Sequence, residues 1–268
     1  MRHSTLIVII LLLRLIANSQ VSGTLLIAGV GKDGLVMVAD SRGSTGNKQG
    51  QLIAYIDSIP KIFKLKNIYL AITGQWSIGN TFLSTIVSGF NKIRTSKNDF
   101  VSVVTSFVNY TDSLYPVSKF PNSSTTSFVF AGSDSVNYLI QGYMRDLGYT
   151  RIVRKKTLIS DNKAVPYLGA YYQYSSLYTC DTLAKEFTKT IYSYAKASNL
   201  EHEIGGPISI VCIGLNNKLK YFKNSFSKNI YKSFSSLIQD LKSGKRKFIP
   251  IIPDGDKEAI QAIIETHE

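Results

Sequence analysis

The chain has 268 residues, of which 44% are hydrophobic and 18% are charged, and its formal net charge is +13. This length is enough for one sizeable core, and the low charged fraction excludes a disordered chain. The basic residues are scattered except at 151–156 and 242–247, and neither run alternates with aromatic residues as a groove for single-stranded nucleic acid would. We therefore expect solvated basic surfaces and no nucleic-acid partner.

Residues 1–23 have the pattern of a secretory signal peptide. A basic start precedes an apolar run at 6–13, and small residues follow it. The run is much shorter than the roughly 20 residues that cross a bilayer, which favours a removable leader over a membrane span. Cleavage near Ala17 is one option, and cleavage after Gly23 is another, which would make Thr24 the first residue. We expect export to the periplasm or the extracellular space, with membrane contact only through the leader; an uncleaved amphipathic anchor is the alternative.

The next segment predicts a β-hairpin. Two apolar runs flank Lys32-Asp33-Gly34, and Asp-Gly between apolar runs is a strong hairpin signal because the turn favours positive φ. The second predicted strand, at 35–39, ends directly before Asp40. A hairpin would therefore bring Thr24 close to Asp40, although they lie sixteen positions apart in the sequence.

The rest of the chain alternates between strand and helix patterns. After a Gly-, Ser- and Asn-rich loop at 43–51, the predicted elements are a strand at 68–72, helices at 77–93 and 99–114, strands at 127–131, 138–143, 149–153 and 165–168, a helix from 180 or 181 to 197, a hairpin at 207–213 and 219–222, and a tail from about 242 with a short helix. This order fits an α+β fold in which helices flank two stacked antiparallel sheets, a four-layer αββα sandwich. We expect residues 24–268 to form one domain.

The chain has only two cysteines, Cys180 and Cys212. They form no CxxC motif and no histidine pair lies near them, so a zinc site is not expected. No other cofactor is implied. In an exported protein the two could form a disulfide, but a buried free thiol at Cys212 inside an apolar strand is equally consistent with the sequence.

An N-terminal threonine can carry its own catalytic base. Its hydroxyl needs a base within hydrogen-bonding distance, and a free α-amino group with a pKa of about 7.7–8.0 is partly neutral near pH 7. A nearby lysine would lower that pKa further, and a carboxylate would hold the lysine. Asp40 is the carboxylate delivered by the hairpin, Lys61 is the best-placed lysine, and the backbone N–H of Gly74 at a turn can stabilise an oxyanion.

These residues also carry a family resemblance. The segment GTLLIAGVGKDGLVMVADSRGS at 23–44, with PKIFKL at 60–65 and YLAITGQ at 69–75, resembles the start of proteasome-type β subunits, which are threonine-dependent N-terminal nucleophile (Ntn) hydrolases. The resemblance continues more weakly to about residue 225. It implies the Ntn hydrolase fold and cleavage of amide bonds. It also implies the following roles: Thr24 as nucleophile, Asp40 as orienting carboxylate, Lys61 as catalytic lysine, Gly74 as oxyanion glycine, and Arg42, Ser44 and Glu201 as supporting residues.

The sequence departs from the family pattern in its supporting positions. The spacing from Asp40 to Lys61 is longer than usual, Glu201 and Ile204 replace an Asp and a Ser, and Ala170 replaces a Ser. Despite these departures, the resemblance leads us to expect an exported threonine-type hydrolase of peptides, with a small-molecule acylase or a non-catalytic scaffold subunit as alternatives. The partners would be a peptide or acyl-amide substrate and further copies in an oligomer or ring.

Ordinary structural roles compete with the catalytic ones at each position. Thr24 could be an ordinary strand residue, since threonine is common in strands. Asp40 could pair with Arg42 at the strand end, and Lys61 could be one solvated lysine among many in a basic chain. If Thr24 is the nucleophile, either signal peptidase or self-cleavage could expose it.

Overall fold

The computed structural model describes residues 24–47, 51–79, 81–94, 98–121, 126–145, 148–155, 163–165, 170–174, 178–223 and 234–265. The predicted leader with its cleavage site at Gly23 lies outside these residues. So do most of the predicted strand at 165–168 and the side chain of Ala170.

The described chain alternates between strands and helices. The strands are β1 (Leu26–Gly31), β2 (Gly34–Ala39), β3 (Gly43–Gly46), β4 (Leu52–Ile56), β5 (Ile62–Leu65), β6 (Ile68–Thr73), β7 (Ser77–Ile78), β8 (Thr81–Phe82), β9 (Ser127–Ser133), β10 (Tyr138–Met144), β11 (Gly148–Lys155), β12 (Lys163–Val165), β13 (Ala170–Tyr174), β14 (Ser209–Ile213), β15 (Leu219–Lys223) and β16 (Ile249–Pro250). The helices are α1 (Leu83–Lys92), α2 (Phe100–Leu114), α3 (Cys180–Ala197), α4 (Phe234–Lys242) and α5 (Gly255–Glu265).

The described strands form four separate sheets. A six-stranded sheet has the order β12-β13-β1-β2-β14-β15, and a five-stranded sheet has the order β11-β10-β9-β6-β5. A three-stranded sheet, β16-β4-β3, and a two-stranded sheet, β7-β8, complete the set. Within the six-stranded sheet, β1 pairs in parallel with β13, while β1–β2 and β2–β14 are antiparallel.

Buried apolar residues gather in four clusters. One cluster joins inward-facing residues of the six-stranded and five-stranded sheets. A second joins the five-stranded sheet to α1 and α2, and a third joins β1, β2 and β14 to α3. The fourth lies on the three-stranded sheet beneath α4 and α5.

The mixture of helices and strands is as predicted, but the expected four-layer αββα sandwich of two antiparallel sheets is wrong. The described strands form four sheets rather than two, and the largest one contains a parallel pair. The segment predicted as a loop at 43–51 begins with strand β3, and β3 pairs with the unpredicted strand β4. The tail packs against this extra sheet through β16, α4 and α5 and forms a core of its own.

Two of the described helices begin at a side-chain cap. Asp99 accepts a hydrogen bond from the Ser102 backbone N–H, so α2 begins at Phe100, one residue after the predicted start. Thr179 caps α3 in the same way through Thr182. The predicted helix at 77–93 is wrong in its first part, because β7 and β8 form a short hairpin before α1 begins at Leu83.

The β1–β2 hairpin forms with Lys32 and Asp33 as its turn. Gly34 does not adopt the positive φ expected of the turn. It is needed for space instead, because a Cβ there would lie 2.6 Å from Cys180 Sγ and 2.7 Å from the Ile213 carbonyl oxygen. Cys180 forms a disulfide with Cys212, with their Cα atoms 6.3 Å apart. This bond joins the start of α3 to β14.

Candidate active site

The open end of the β1–β2 hairpin brings the chain at Thr24 next to Asp40. The ladder ends with the pair of Leu26 and Ala39, and Leu25 and Asp40 follow directly outside it. The Asp40 N–H donates to the Leu25 carbonyl oxygen at 3.3 Å, and the Leu25 N–H donates to Asp40 Oδ1 at 3.0 Å. These two contacts fix Leu25, the residue that follows Thr24, beside the carboxylate.

The Asp40 carboxylate is completely buried, with 0% of the residue exposed. Besides Leu25, its oxygens accept hydrogen bonds from the backbone N–H groups of Arg42 and Gly205, both at 3.1 Å. Lys61 Nζ lies 3.0 Å from Oδ1 and 3.1 Å from Oδ2. Burial raises the pKa of Asp40, and Lys61 with these N–H donors opposes that shift.

Lys61 is buried beside Asp40 and is only 5% exposed. It follows Pro60 and directly precedes β5, and its carbonyl oxygen accepts a hydrogen bond from the Ile72 N–H at 2.8 Å. Nζ also donates to the Arg42 carbonyl oxygen at 2.6 Å. Burial lowers the pKa of Lys61, against the attraction of Asp40. The solvated-lysine interpretation is therefore wrong.

Arg42 directs its side chain away from Asp40. The guanidinium forms a two-point ion pair with Asp57, from Nε to Oδ1 at 2.7 Å and from Nη2 to Oδ2 at 2.9 Å. It also stacks on the Tyr55 ring, with Cζ 3.9 Å from the ring centroid, and donates to the Glu201 carbonyl oxygen. The strand-end pair between Asp40 and Arg42 is thus not formed by the side chains, and Asp40 is held by Lys61.

Two consecutive glycines complete the surroundings of Asp40. Gly205 donates its N–H to Asp40, and its carbonyl oxygen accepts from the Ser41 N–H at 3.0 Å. Gly206 has φ +69°, and a Cβ there would lie 2.8 Å from both Asp57 Oδ1 and Ser41 Oγ. Only glycine fits this contact without displacing a partner. The Gly205-Gly206 segment therefore joins the loop between α3 and β14 to the open end of the hairpin.

Thr24, Lys61 and Gly74 line one small pocket of about 40 Å³. In the uncleaved chain Thr24 is buried, with 4% of the residue exposed. Gly74 follows β6 with φ +84°, a left-handed conformation that favours glycine. The rest of the lining is largely apolar and includes Ile59, Phe63, Ile72, Trp76, Phe82 and Leu83, together with Arg246 from the tail.

The supporting residues separate into two groups. Arg42 lies in the network through its backbone N–H and carbonyl oxygen, and Glu201 contributes its carbonyl oxygen to Arg42. Ser44 lies on β3 opposite Tyr55, and it is not among the described residues that line the pocket. Ile204 is buried in the apolar cluster beneath α3.

Sequence reasoning gave Asp57 and Arg246 no role. Asp57 holds the Arg42 guanidinium, and its own carbonyl oxygen accepts a hydrogen bond from Arg246 Nη2 at 2.6 Å. Asp57 lies four positions before Lys61, so an acidic residue close to the candidate lysine was the available signal. No local pattern could place Arg246, because it lies 189 positions from Asp57 in the sequence.

No protein-family model matches the sequence, and no curated protein sequence matches it either. Among the described residues, no group of three or more His, Cys, Asp or Glu side chains could hold a metal ion. None of the helices in this described part of the chain is long and apolar enough to cross a bilayer.

Proposed function

We propose that this protein is an exported threonine-dependent amide-bond hydrolase that acts on peptides, with Thr24 as its N-terminal nucleophile after residues 1–23 are removed. The observation that carries the proposal is the buried pair between Asp40 and Lys61, set beside Thr24 at the open end of the hairpin. Proteasome-type β subunits, which the sequence resembles in this segment, use the same residue types at corresponding positions.

Burying a charged pair is costly unless its hydrogen bonds are well satisfied, so such pairs require an explanation beyond stability. The single carboxylate of Asp40 accepts hydrogen bonds from three backbone N–H groups and from one lysine. Clusters in which burial and a specific partner shift pKa values are characteristic of catalytic sites. The proposal assigns this arrangement to the activation of Thr24.

The proposed reaction begins when Thr24 Oγ1 attacks the carbonyl carbon of the amide. The hydroxyl proton passes to the neutral α-amino group of Thr24, which then protonates the departing amine as the C–N bond breaks. The positive charge of Lys61 favours the neutral amine, and Asp40 holds Lys61 in place. Gly74 supplies a backbone N–H for the oxyanion, and water finally hydrolyses the ester on Thr24.

Export is part of the same proposal. Removal of the signal peptide after Gly23 would expose the Thr24 amine directly, without self-cleavage. The disulfide between Cys180 and Cys212 supports an oxidising compartment, because disulfides persist in exported proteins and are rare in the cytosol.

One observation favours a second candidate, a non-catalytic scaffold subunit. Ile204 is an apolar core residue where catalytic members of the resembled family have a serine, and Glu201 contributes a carbonyl oxygen rather than its carboxylate. A scaffold would retain the fold for assembly into an oligomer and would not require a free N-terminus at Thr24.

The decisive experiment combines N-terminal sequencing of the exported protein with turnover of peptide and acyl-amide reporters. We expect a mature chain that begins at Thr24 and is active. Thr24→Ala should lower turnover by at least about a thousandfold, because it removes the nucleophile. Thr24→Ser is the matched control, since it keeps a hydroxyl on the same backbone.

Thermal unfolding of both variants would separate loss of chemistry from loss of folding. An exported chain that retains any residue before Thr24, or full turnover by Thr24→Ala, would overturn the catalytic assignment. Hydrolysis of small acyl-amides without hydrolysis of peptides would move the substrate to the acylase class. A chain with no turnover that assembles into a stable oligomer would favour the scaffold.

A further inference from the structure

A second concave surface lies on the opposite side of the six-stranded sheet from the pocket at Thr24. Helix α3 packs over β1, β2 and part of β14, and the same sheet face continues beyond the helix along β14 and β15 as one side of a groove. The resulting groove has a volume of about 780 Å³. We call it the α3–β15 groove.

The floor of the α3–β15 groove is apolar. Ile210 on β14 and Tyr221 on β15 are half-buried and pack at the border of the cluster beneath α3. Pro207 and Ile208 close one end, next to Gly206, whose carbonyl oxygen accepts a hydrogen bond from the Tyr192 hydroxyl at 3.0 Å. The groove therefore ends at the glycine segment that holds Asp40.

The rim of the groove is positively charged. Lys185 and Lys189 lie one turn apart on the exposed side of α3, and Lys223 lies opposite them on β15, paired with Ile210. None of the three lysines forms an ion pair with a described residue. Among the described residues of the lining, Asp181 is the single carboxylate, and it contacts the Tyr221 hydroxyl. The pKa of Tyr221 is raised to about 12, mainly by burial and to a smaller extent by the Asp181 carboxylate.

We propose that the α3–β15 groove is a docking site for an acidic, extended peptide segment of a partner protein. Acidic side chains would meet Lys185, Lys189 and Lys223, and the apolar side chains between them would cover Ile210 and Tyr221. β15 lies at the edge of the six-stranded sheet, so its outer backbone groups can pair with an added strand.

Charge decides among the possible occupants. A second copy of this chain carries the same net charge of +13, and lysines on an edge strand oppose pairing between like copies. A nucleic acid would match the charge and could stack on Tyr221, but the neighbouring Pro207, Ile208 and Ile210 are apolar and suit the apolar side chains of a peptide better than bases.

The test uses fluorescence anisotropy with a labelled peptide of alternating Glu and Val, and a matched peptide of alternating Gln and Val. Full-length Thr24→Ala protein serves as the background so that the probe cannot be cleaved at the proposed active site. We expect tighter binding of the acidic peptide, and about tenfold weaker binding by the triple variant Lys185→Gln/Lys189→Gln/Lys223→Gln.

The control is Lys64→Gln/Lys92→Gln/Lys196→Gln, which makes the same charge change at exposed lysines outside the groove lining. Equal binding of the two peptides, or an equal loss in both triple variants, would overturn the proposal. So would displacement of the peptide by a single-stranded oligonucleotide of equal charge at lower concentration, or self-association that blocks peptide binding. The outcome does not depend on hydrolysis, so it is separable from the proposed function.

Discussion

The two ends of the β1–β2 hairpin each hold an aspartate between a lysine and backbone N–H groups, but in opposite surroundings. At the turn, Asp33 accepts from the Cys180 N–H at 2.7 Å and from Lys220 Nζ at 2.8 Å, with side chains 40% and 35% exposed. At the open end, Asp40 and Lys61 form the corresponding pair with side chains 0% and 7% exposed. The same residue types therefore stand in water at one end and in the core at the other.

The difference explains why only one end is a candidate for chemistry. Burial alone would raise the pKa of Asp33, but the Lys220 hydrogen bond and the Cys180 N–H outweigh it, so this pKa is lowered. At Asp40 burial dominates and raises the pKa, while burial lowers the pKa of Lys61. The exposed pair fastens the turn to α3 and β15, whereas the buried pair holds a carboxyl group and an amine together in the core beside Thr24.

The largest expected effect comes from removing the lysine at the open end, and removing the lysine at the turn is the comparison. Lys61→Met leaves Asp40 buried without its cationic partner, so we expect the free energy of unfolding to fall by about 3–5 kcal/mol. Lys220→Met is the matched change at the turn, where the exposed pair contributes about 0–1 kcal/mol. Denaturant unfolding of the two variants beside the wild type measures both values.

The double variant Asp40→Leu/Lys61→Met sharpens this comparison. It removes both charges, so we expect it to recover part of the stability lost in Lys61→Met, because no unpaired carboxylate remains buried. Reporter turnover should not recover, since the proposed chemistry needs both side chains. Equal losses from Lys61→Met and Lys220→Met would contradict the distinction between the two ends.

The next effect belongs to the turn end, where the disulfide of Cys180 joins α3 to β14. The two cysteines are separated by 32 positions, and closing a loop of that length is expected to stabilise the fold by about 3–4 kcal/mol. Cys180→Ala/Cys212→Ala should lose this amount in denaturant unfolding. Reduced wild-type protein is the control and should unfold at a similar denaturant concentration; no difference between oxidised and reduced protein would refute the role of the bond.

The sequence predicted the open end of the hairpin well because its signals are local. Asp-Gly between apolar runs predicted the turn, and the end of the second strand placed Asp40 next to Leu25, the residue after Thr24. Lys61 was selected from many lysines by its position at a strand entry and by resemblance. Its burial beside Asp40 is a finding of the structure.

The sequence failed where long-range pairing decides the structure. The segment at 43–46 has the composition of a loop, but β4 and β16 pair beside it and make it part of a sheet. The Gly205 N–H reaches Asp40 across 165 positions, and Arg246 reaches the pocket from the tail. No short window of the sequence contains such contacts. The prediction also lacked the three-stranded sheet, which is one reason why the predicted sandwich was wrong.

The smallest expected effect is the acid titration of Asp33. Its folded-state pKa lies below the ordinary value of 3.8, so its carboxylate stabilises the fold above that pH and loses this contribution as the pH falls through the folded pKa. Because both partners are more than a third exposed, solvent screening keeps the contribution below about 1 kcal/mol.

Asp33→Asn provides the measurement, because it keeps an acceptor for the Cys180 N–H but cannot ionise. The difference in unfolding free energy between wild type and Asp33→Asn should be largest at neutral pH and should shrink as the pH falls below 3.8. Lys220→Met should reduce the same pH-dependent difference, since Lys220 supplies the charge that Asp33 faces. A difference that grows on acidification would mean that burial controls Asp33 as it controls Asp40, and the contrast between the two ends of the hairpin would then be lost.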